Sequence, residues 1–387
     1  MIFLDKKRCA GCTACRAICP HGAIEMKADA EGFQYPDVSS SRCVKCGLCR
    51  KACPILNGIV RKEPHSVYAA KAKDDAVRAS CSSGGIFPLL AEYVLQTGGI
   101  VYGAAFSGED WHVEHIAVED IGQLVRLKES KYVQSEVNDL FRSVAATLKI
   151  GRRVLFSGTP CQIAGLRLYL EASRIGKPDS LLLVEVICHG VPSPLAWRKY
   201  LEKRTDGRLR TIRRISSRRK NCGWKRFSMS LGFANGMEYL KPFPQDAFMR
   251  GFLAELYSRP SCHDCPCRDQ HSCADLILGD FWGIEKTLPD FDDDKGTSAV
   301  IVMTDVGCKA LSVIEGRCEL RDAKIDDVGN GNRALRENPI PHRNRNRFFR
   351  LVGAGDFDDL VSGLLKPSLC SGLRSKIGVV MRRIGIK

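Results

Sequence analysis

The chain has no apolar run near the ~20 residues that a membrane-spanning helix needs. Its longest, Leu181 to Ile187, is interrupted by Glu185. No secretory leader is visible: the apolar stretch Ile2-Phe3-Leu4 is far too short for an h-region. The expected location is therefore the cytoplasm. Histidines number only eight in 387 residues and make no metal-type cluster. No Ser-His-Asp triad is evident. A basic excess is present, but no nucleic-acid recognition motif or aromatic interleaving accompanies it, so nucleic acid is not an expected partner.

Cysteine, by contrast, is abundant, at nineteen residues. Eight fall before residue 54, in two runs of one pattern: Cys9, Cys12, Cys15 and Cys19 before Pro20, then Cys43, Cys46, Cys49 and Cys53 before Pro54. This is C-x2-C-x2-C-x3-C-P, the spacing of bacterial ferredoxins. Three close thiols curl around one cluster, and the fourth crosses to the other cluster. The expected ligand sets are Cys9, Cys12, Cys15 and Cys53 for one 4Fe–4S centre, and Cys43, Cys46, Cys49 and Cys19 for the second. Structural zinc prefers separated cysteine pairs, and the duplicated triplets fit it poorly. Cluster ligands need thiolates and a reducing compartment.

At 387 residues, two or three domains are expected. Residues 1–57 read as the two-cluster ferredoxin-like domain, and 58–66 as a linker. From 67 to about 330, apolar strand runs alternate with helical stretches: 99–106, 112–118, 153–157 and 181–187 as strands, with helices after Gly85, Asn138, Cys161 and Pro194. That pattern implies an α/β domain with a largely parallel sheet. Residues 211–240 read as a smaller antiparallel part, and 331–387 as a basic C-terminal extension. Ligands of such sheets sit at the C-terminal ends of strands, where Gly158-Thr159-Pro160-Cys161-Gln162 and Cys188-His189-Gly190 lie.

Three further motifs carry chemistry. Ser83-Gly84-Gly85 opens a helix, as a phosphate seat would, or else as a plain N-cap with a flexible turn. Cys161 sits at a helix N-terminus, a setting that lowers a thiol pKa and suits a nucleophile or metal ligand; a buried core cysteine is the bland alternative. Cys262 and Cys265, with Cys267 and Cys273 close by, suggest zinc or a separate cluster.

In order, these pieces resemble the coenzyme F420 hydrogenase/dehydrogenase beta-subunit family, in a form with a fused N-terminal ferredoxin domain. The resemblance also rests on Glu129-Ser130-Lys131-Tyr132-Val133-Gln134-Ser135, on Cys188-His189-Gly190-Val191-Pro192-Ser193, and on Cys262-x2-Cys265 leading to Gly279-Asp280-Phe281-Trp282-Gly283. It implies FAD and a third 4Fe–4S cluster, with Cys161, Cys188, Cys262 and Cys265 as that cluster's ligands. It implies that Ser83, Gly84, Gly85, Ser130, Lys131, Tyr132, Gln134, Ser135, Gly158 and Thr159 hold FAD, with Lys131 supplying positive charge near the phosphates. His189 is the candidate proton donor, against a plain structural role. The implied activity is an oxidoreductase that couples one-electron transfer through the clusters to hydride transfer at FAD. Its substrate is an organic hydride donor or acceptor, either F420 or another metabolite. The alternative is a non-catalytic electron-transfer subunit of a hydrogenase or dehydrogenase complex. Either way the expected partner is a redox protein or soluble ferredoxin. Each oxidised cluster with its thiolates contributes about −2, so three would bring the formal +15 to about +9.

Overall fold

The structure, a computed structural model, describes residues 5–59, 62–268 and 270–366. In the N-terminal module, strands β1 (Ile24–Ala28) and β2 (Gln34–Val38) pair antiparallel. The two cysteine runs lie on either side of this hairpin, and each feeds a short helix, Ala14–Ile18 and Leu48–Lys51. Both runs curl by the same device. The residues flanking the second cysteine of each run take positive φ: Gly11 (69°) and Thr13 (66°) around Cys12, Lys45 (57°) and Gly47 (80°) around Cys46. Glycine accepts this conformation freely. Thr13 and Lys45 do not, and such residues persist only where the surroundings over-determine them.

The main domain contributes β3 (Ser66–Ala72), β4 (Ile100–Ser107), β5 (His112–Val118), β6 (Val154–Gly158) and β7 (Leu181–Val186). Then come β8 (Ile212–Arg219), β9 (Ser228–Phe233) and β10 (Glu238–Pro242), followed by β11 (Leu276–Asp280), β12 (Ser298–Val302) and β13 (Cys318–Asp322). Among the described residues these form an eight-stranded sheet, β13-β3-β12-β11-β7-β6-β4-β5, and a three-stranded one, β10-β9-β8. The four central strands β11, β7, β6 and β4 run parallel, and the flanks are antiparallel. The fold is thus α/β with a parallel-rich sheet, a small antiparallel sheet and a ferredoxin module in front. The run from Leu181 to Val184 is buried because helices cover both faces of the parallel strands.

The ferredoxin module is seated on this domain. Its first helix packs against the helix Pro160–Ala172, where Gly165 leaves room for Cys12: a Cβ there would lie 3.0 Å from the Cys12 sulfur. Arg142 donates to the carbonyls of Ala17 (2.7 Å) and Cys19 (3.0 Å) at the end of that first helix. Arg259, fully buried, donates to the carbonyls of Cys9 (2.8 Å) and Gln34 (2.9 Å) and to the Gln134 side chain (2.7 Å). Its guanidinium lies over the Tyr35 ring at 4.2 Å.

The described part of the C-terminal extension is structural. The helices Arg345–Leu351 and Phe357–Leu365 place Phe348, Phe357, Val361 and Leu364 in one core with Trp197, Tyr200 and Phe248. Arg345 reaches Glu31 of the ferredoxin module at 2.5 and 3.0 Å. Residues 367–387 lie outside the described residues. No helix among the described residues is long and apolar enough to cross a membrane.

Candidate functional site

The first cysteine group forms where the module meets the main domain. Cys9, Cys15 and Cys53 are buried, and Cys12 is covered by the helix Pro160–Ala172. Burial pushes the Cys12 and Cys15 thiols far up, and Cys9 and Cys53 act on both as charged neighbours. Cys53, from the second run, thus sits with the first-run triplet. Cys19 shares a small recess with Cys43, Cys46 and Cys49, which is the complementary exchange. Thiols crowded in this way resist ionisation unless a positively charged group shares their charge, so the donor chemistry suits iron–sulfur centres.

A third group gathers from three distant segments. Cys161 is on the first turn of the helix Pro160–Ala172, Cys188 follows β7, and Cys262 and Cys265 belong to the 3-10 turn Pro260–Asp264 and its end. Electrostatically, Cys161 is a neighbour of Cys265, Cys12 and Cys188, and Cys262 is a neighbour of Cys188, Cys265 and Cys161. A helix N-terminus alone would lower the Cys161 pKa. The structure corrects this expectation: burial and the nearby Cys265 drive it well up, because desolvation outweighs the helix dipole. Cys265 moves down because Cys267 hydrogen-bonds to it. Cys273 stands apart, beside Glu185 and Arg167.

Beyond this group opens a cavity of about 660 Å³ at the C-terminal ends of β6, β7 and β11. Of the residues named from sequence, Ser83, Gly85, Ser130, Lys131, Tyr132, Ser135, Gly158, Thr159, Cys188 and His189 line it. Two do not. The N–H of Gly84 donates to the Ser298 hydroxyl (3.0 Å), and a Cβ there would lie 2.3 Å from the Ala70 carbonyl oxygen, so this glycine permits close packing. Gln134 turns toward the ferredoxin module, accepting from Arg259 and donating to the Ala10 carbonyl (3.3 Å). Lys131 lines the cavity, but its ammonium donates to the carbonyls of Arg126 (2.9 Å), Lys128 (2.5 Å) and Glu129 (3.1 Å). Burial lowers its pKa to about 7. The Gly158 turn is rigid, since Gln162 Oε1 accepts from the Thr159 N–H (3.0 Å) while its amide donates to Ser135 (2.9 Å). Ser82 fastens the neighbouring segment, accepting from the Ser130 N–H at 2.7 Å. His189 is half-buried and its pKa is lowered, first by desolvation.

Sequence reasoning missed three residues here. Arg218 on β8 is buried, pairs with Asp280 (2.8 and 3.2 Å), donates to the Tyr132 hydroxyl (3.1 Å) and lies 4.0 Å from the Phe227 ring centre. Trp282 stacks on Trp224 at 4.7 Å, and Trp224 donates to Asp280 (2.9 Å). His115 on β5 bonds the Ser157 carbonyl through Nε2 (3.0 Å), and its Nδ1 has no hydrogen-bond partner among the described residues. Burial lowers its pKa to about 4. No local motif marks Arg218 or His115, and Trp282 stands in the Gly279–Gly283 run without a role that its neighbours in sequence reveal. The three meet only because β5, β8 and β11 converge.

Two paired cysteine groups, a third beside them and a large cavity at the C-terminal ends of the central strands define an iron–sulfur protein of the redox class. Comparison with known families agrees. Residues 8–56 match the 4Fe-4S dicluster domain, residues 67–142 the N-terminal part of the coenzyme F420 hydrogenase/dehydrogenase beta subunit, and 151–326 its C-terminal part. The chain belongs to the coenzyme F420 hydrogenase/dehydrogenase beta-subunit family and carries a 4Fe–4S dicluster domain at its N-terminal end. It is 23% identical over 330 residues to a subunit of the F(420)H(2) dehydrogenase of Methanosarcina mazei, covering 81% of this chain and 84% of that one. It is 26% identical over 208 residues to the coenzyme F420-dependent sulfite reductase of Methanocaldococcus jannaschii, covering 48% of this chain but only 30% of that protein. A chain of the F420-reducing [NiFe] hydrogenase complex from Methanosarcina barkeri has a similar fold, with TM-score 0.50 at 18% identity over 72% of this chain and 91% of that one.

Proposed function

We propose that this chain is an oxidoreductase with three 4Fe–4S clusters and FAD, which couples single-electron transfer to hydride exchange with an organic substrate. One observation carries the reading. Cys12 of the first group neighbours Cys161 of the third, and Cys188 of the third lines the large cavity. The sites therefore form a continuous series from the ferredoxin module to the cavity. Bound FAD would supply the exchange between two-electron and one-electron chemistry. Ser83, Gly85, Ser130, Gly158 and Thr159 would hold it. The buried Arg218 would supply fixed positive charge, and Asp280 orients it. His189, whose pKa burial lowers, would offer a hydrogen bond or a proton where the third cysteine group meets the cavity. Around the second group, Arg42, Lys45, Arg50 and Lys51 are exposed, a surface suited to an acidic redox protein or ferredoxin.

The substrate is F420, in keeping with the relatives' names, or another metabolite reduced by hydride. The M. mazei relative is named as a subunit, and this favours a second reading, an electron-transfer subunit that works only inside a complex. Anaerobic protein with bound flavin, reduced and mixed with F420 in a stopped-flow cell, separates the two. Flavin reoxidation by F420 supports the enzyme. If no organic acceptor reoxidises it while a partner protein drains it, the subunit reading stands. Protein prepared with ample flavin that holds none would remove the enzyme reading. Cys161→Ser should lower iron by one cluster's worth, about four atoms per chain, and Cys273→Ser should leave it unchanged.

A further inference from the structure

We propose that His65, Asp305 and Cys308 form a site for one zinc-class divalent ion, separate from the three cysteine groups. An imidazole nitrogen, a carboxylate oxygen and a thiol sulfur from these residues all lie within 4.8 Å of one another. His65 Nδ1 is 3.6 Å from Asp305 Oδ1 and 3.8 Å from Cys308 Sγ. Bonds of ~2.0–2.3 Å at tetrahedral angles put neighbouring ligand atoms roughly 3.3–3.6 Å apart. The two pairs made by His65 thus need only a few tenths of an ångström of closure, and the Asp305–Cys308 pair, within 4.8 Å, needs about 1.3 Å at most, which exposed side chains supply.

The donor set narrows the ion. Mixed nitrogen, sulfur and oxygen donors suit zinc and its neighbours, whereas calcium and magnesium take oxygen. The scaffold is fixed. The N–H of His65 donates to the Val302 carbonyl at 2.7 Å, at the head of β3. Asp305 and Cys308 are three apart on the helix Asp305–Ile314, so they share a face. That helix is capped by Thr304, whose hydroxyl donates to the buried Asp275 at 2.5 Å. All three ligands are exposed, so an ion enters without opening the fold, and a water completes the fourth position. Binding releases the Cys308 proton to solvent, so affinity rises with pH. The sequence hid this site because His65 and Cys308 are 243 positions apart. Its placement suggests a role. His65 ends the segment leaving the ferredoxin module, and an ion would clip that segment to the helix Asp305–Ile314.

The test uses the full, cluster-loaded chain under anaerobic conditions, with Zn2+ delivered against a chromophoric chelator and iron counted throughout. The wild type should take up one zinc ion per chain more than the double variant His65→Ala/Cys308→Ser, with iron unchanged in both. Asp305→Asn should weaken that uptake about tenfold or more, since losing a ligand costs no less than losing a residue that merely orients one. Equal zinc uptake by wild type and double variant would overturn the site. So would uptake matched in both by loss of iron from the clusters.

Discussion

The two cysteine runs share one pattern but occupy different surroundings. The first lies under the main domain: Cys9 and Cys15 are buried, and Cys12 faces Gly165 and Cys161. The second faces outward: Cys46 is exposed, Val44 is 60% exposed, and the nearby cations are solvated. Even the backbone cost is distributed differently. The first run puts glycine before its second cysteine and threonine after it, and the second run puts lysine before and glycine after. Equal cysteine spacing thus meets unequal burial, one group open to solvent and the other packed against the main domain.

Serine substitutions test this asymmetry most strongly. Cys12→Ser and Cys46→Ser should each cost one cluster, about four iron atoms per chain. Only Cys12→Ser should also lower the unfolding temperature of the main domain, because only that site is part of its packing. Equal thermal losses in calorimetry would erase the distinction. Next in size is Arg259→Ala, which leaves three buried acceptors without their donor. A loss of about 3 kcal/mol or more is expected in denaturant unfolding, since each buried acceptor left without a donor costs about 1–3 kcal/mol. An unchanged midpoint would mean that the module is held by other contacts.

At the exposed end the effects should be kinetic. Lys45→Glu with Lys51→Glu should slow reduction by an acidic ferredoxin about tenfold at low salt. The effect should fade as ionic strength approaches ~0.15 M, where screening sets in at ~8 Å. A rate insensitive to both changes would place docking elsewhere. The smallest effect belongs to Lys131. Its folded pKa of about 7 lies below the ordinary 10.5, so between those values the folded chain binds fewer protons than the unfolded chain. This site's contribution to stability therefore rises with pH from about 7 upward. An anion seated beside Lys131 would hold the proton on and flatten that slope. Unfolding temperatures of flavin-loaded and flavin-stripped protein above about pH 7 measure the difference, and identical slopes would detach Lys131 from any anion.

The sequence by itself determined the 4Fe–4S dicluster character and the local elements. The cysteine spacing named the clusters because ligand geometry around a compact centre is met by local chain curvature, which a short motif encodes. The strands at 100–107, 112–118, 154–158 and 181–186 were legible because burial on one or both faces leaves a period-two or continuous apolar pattern. Tertiary structure decided what no window of sequence contains. It put one cluster site inside and its twin outside. It gathered Cys161, Cys188, Cys262 and Cys265, turned Gln134 and Gly84 away from the cavity, and brought Arg218, Asp280, Trp282 and His115 to its wall. Those outcomes depend on which strands lie side by side. Long-range adjacency is fixed by the summed packing of the whole core, which no single segment records.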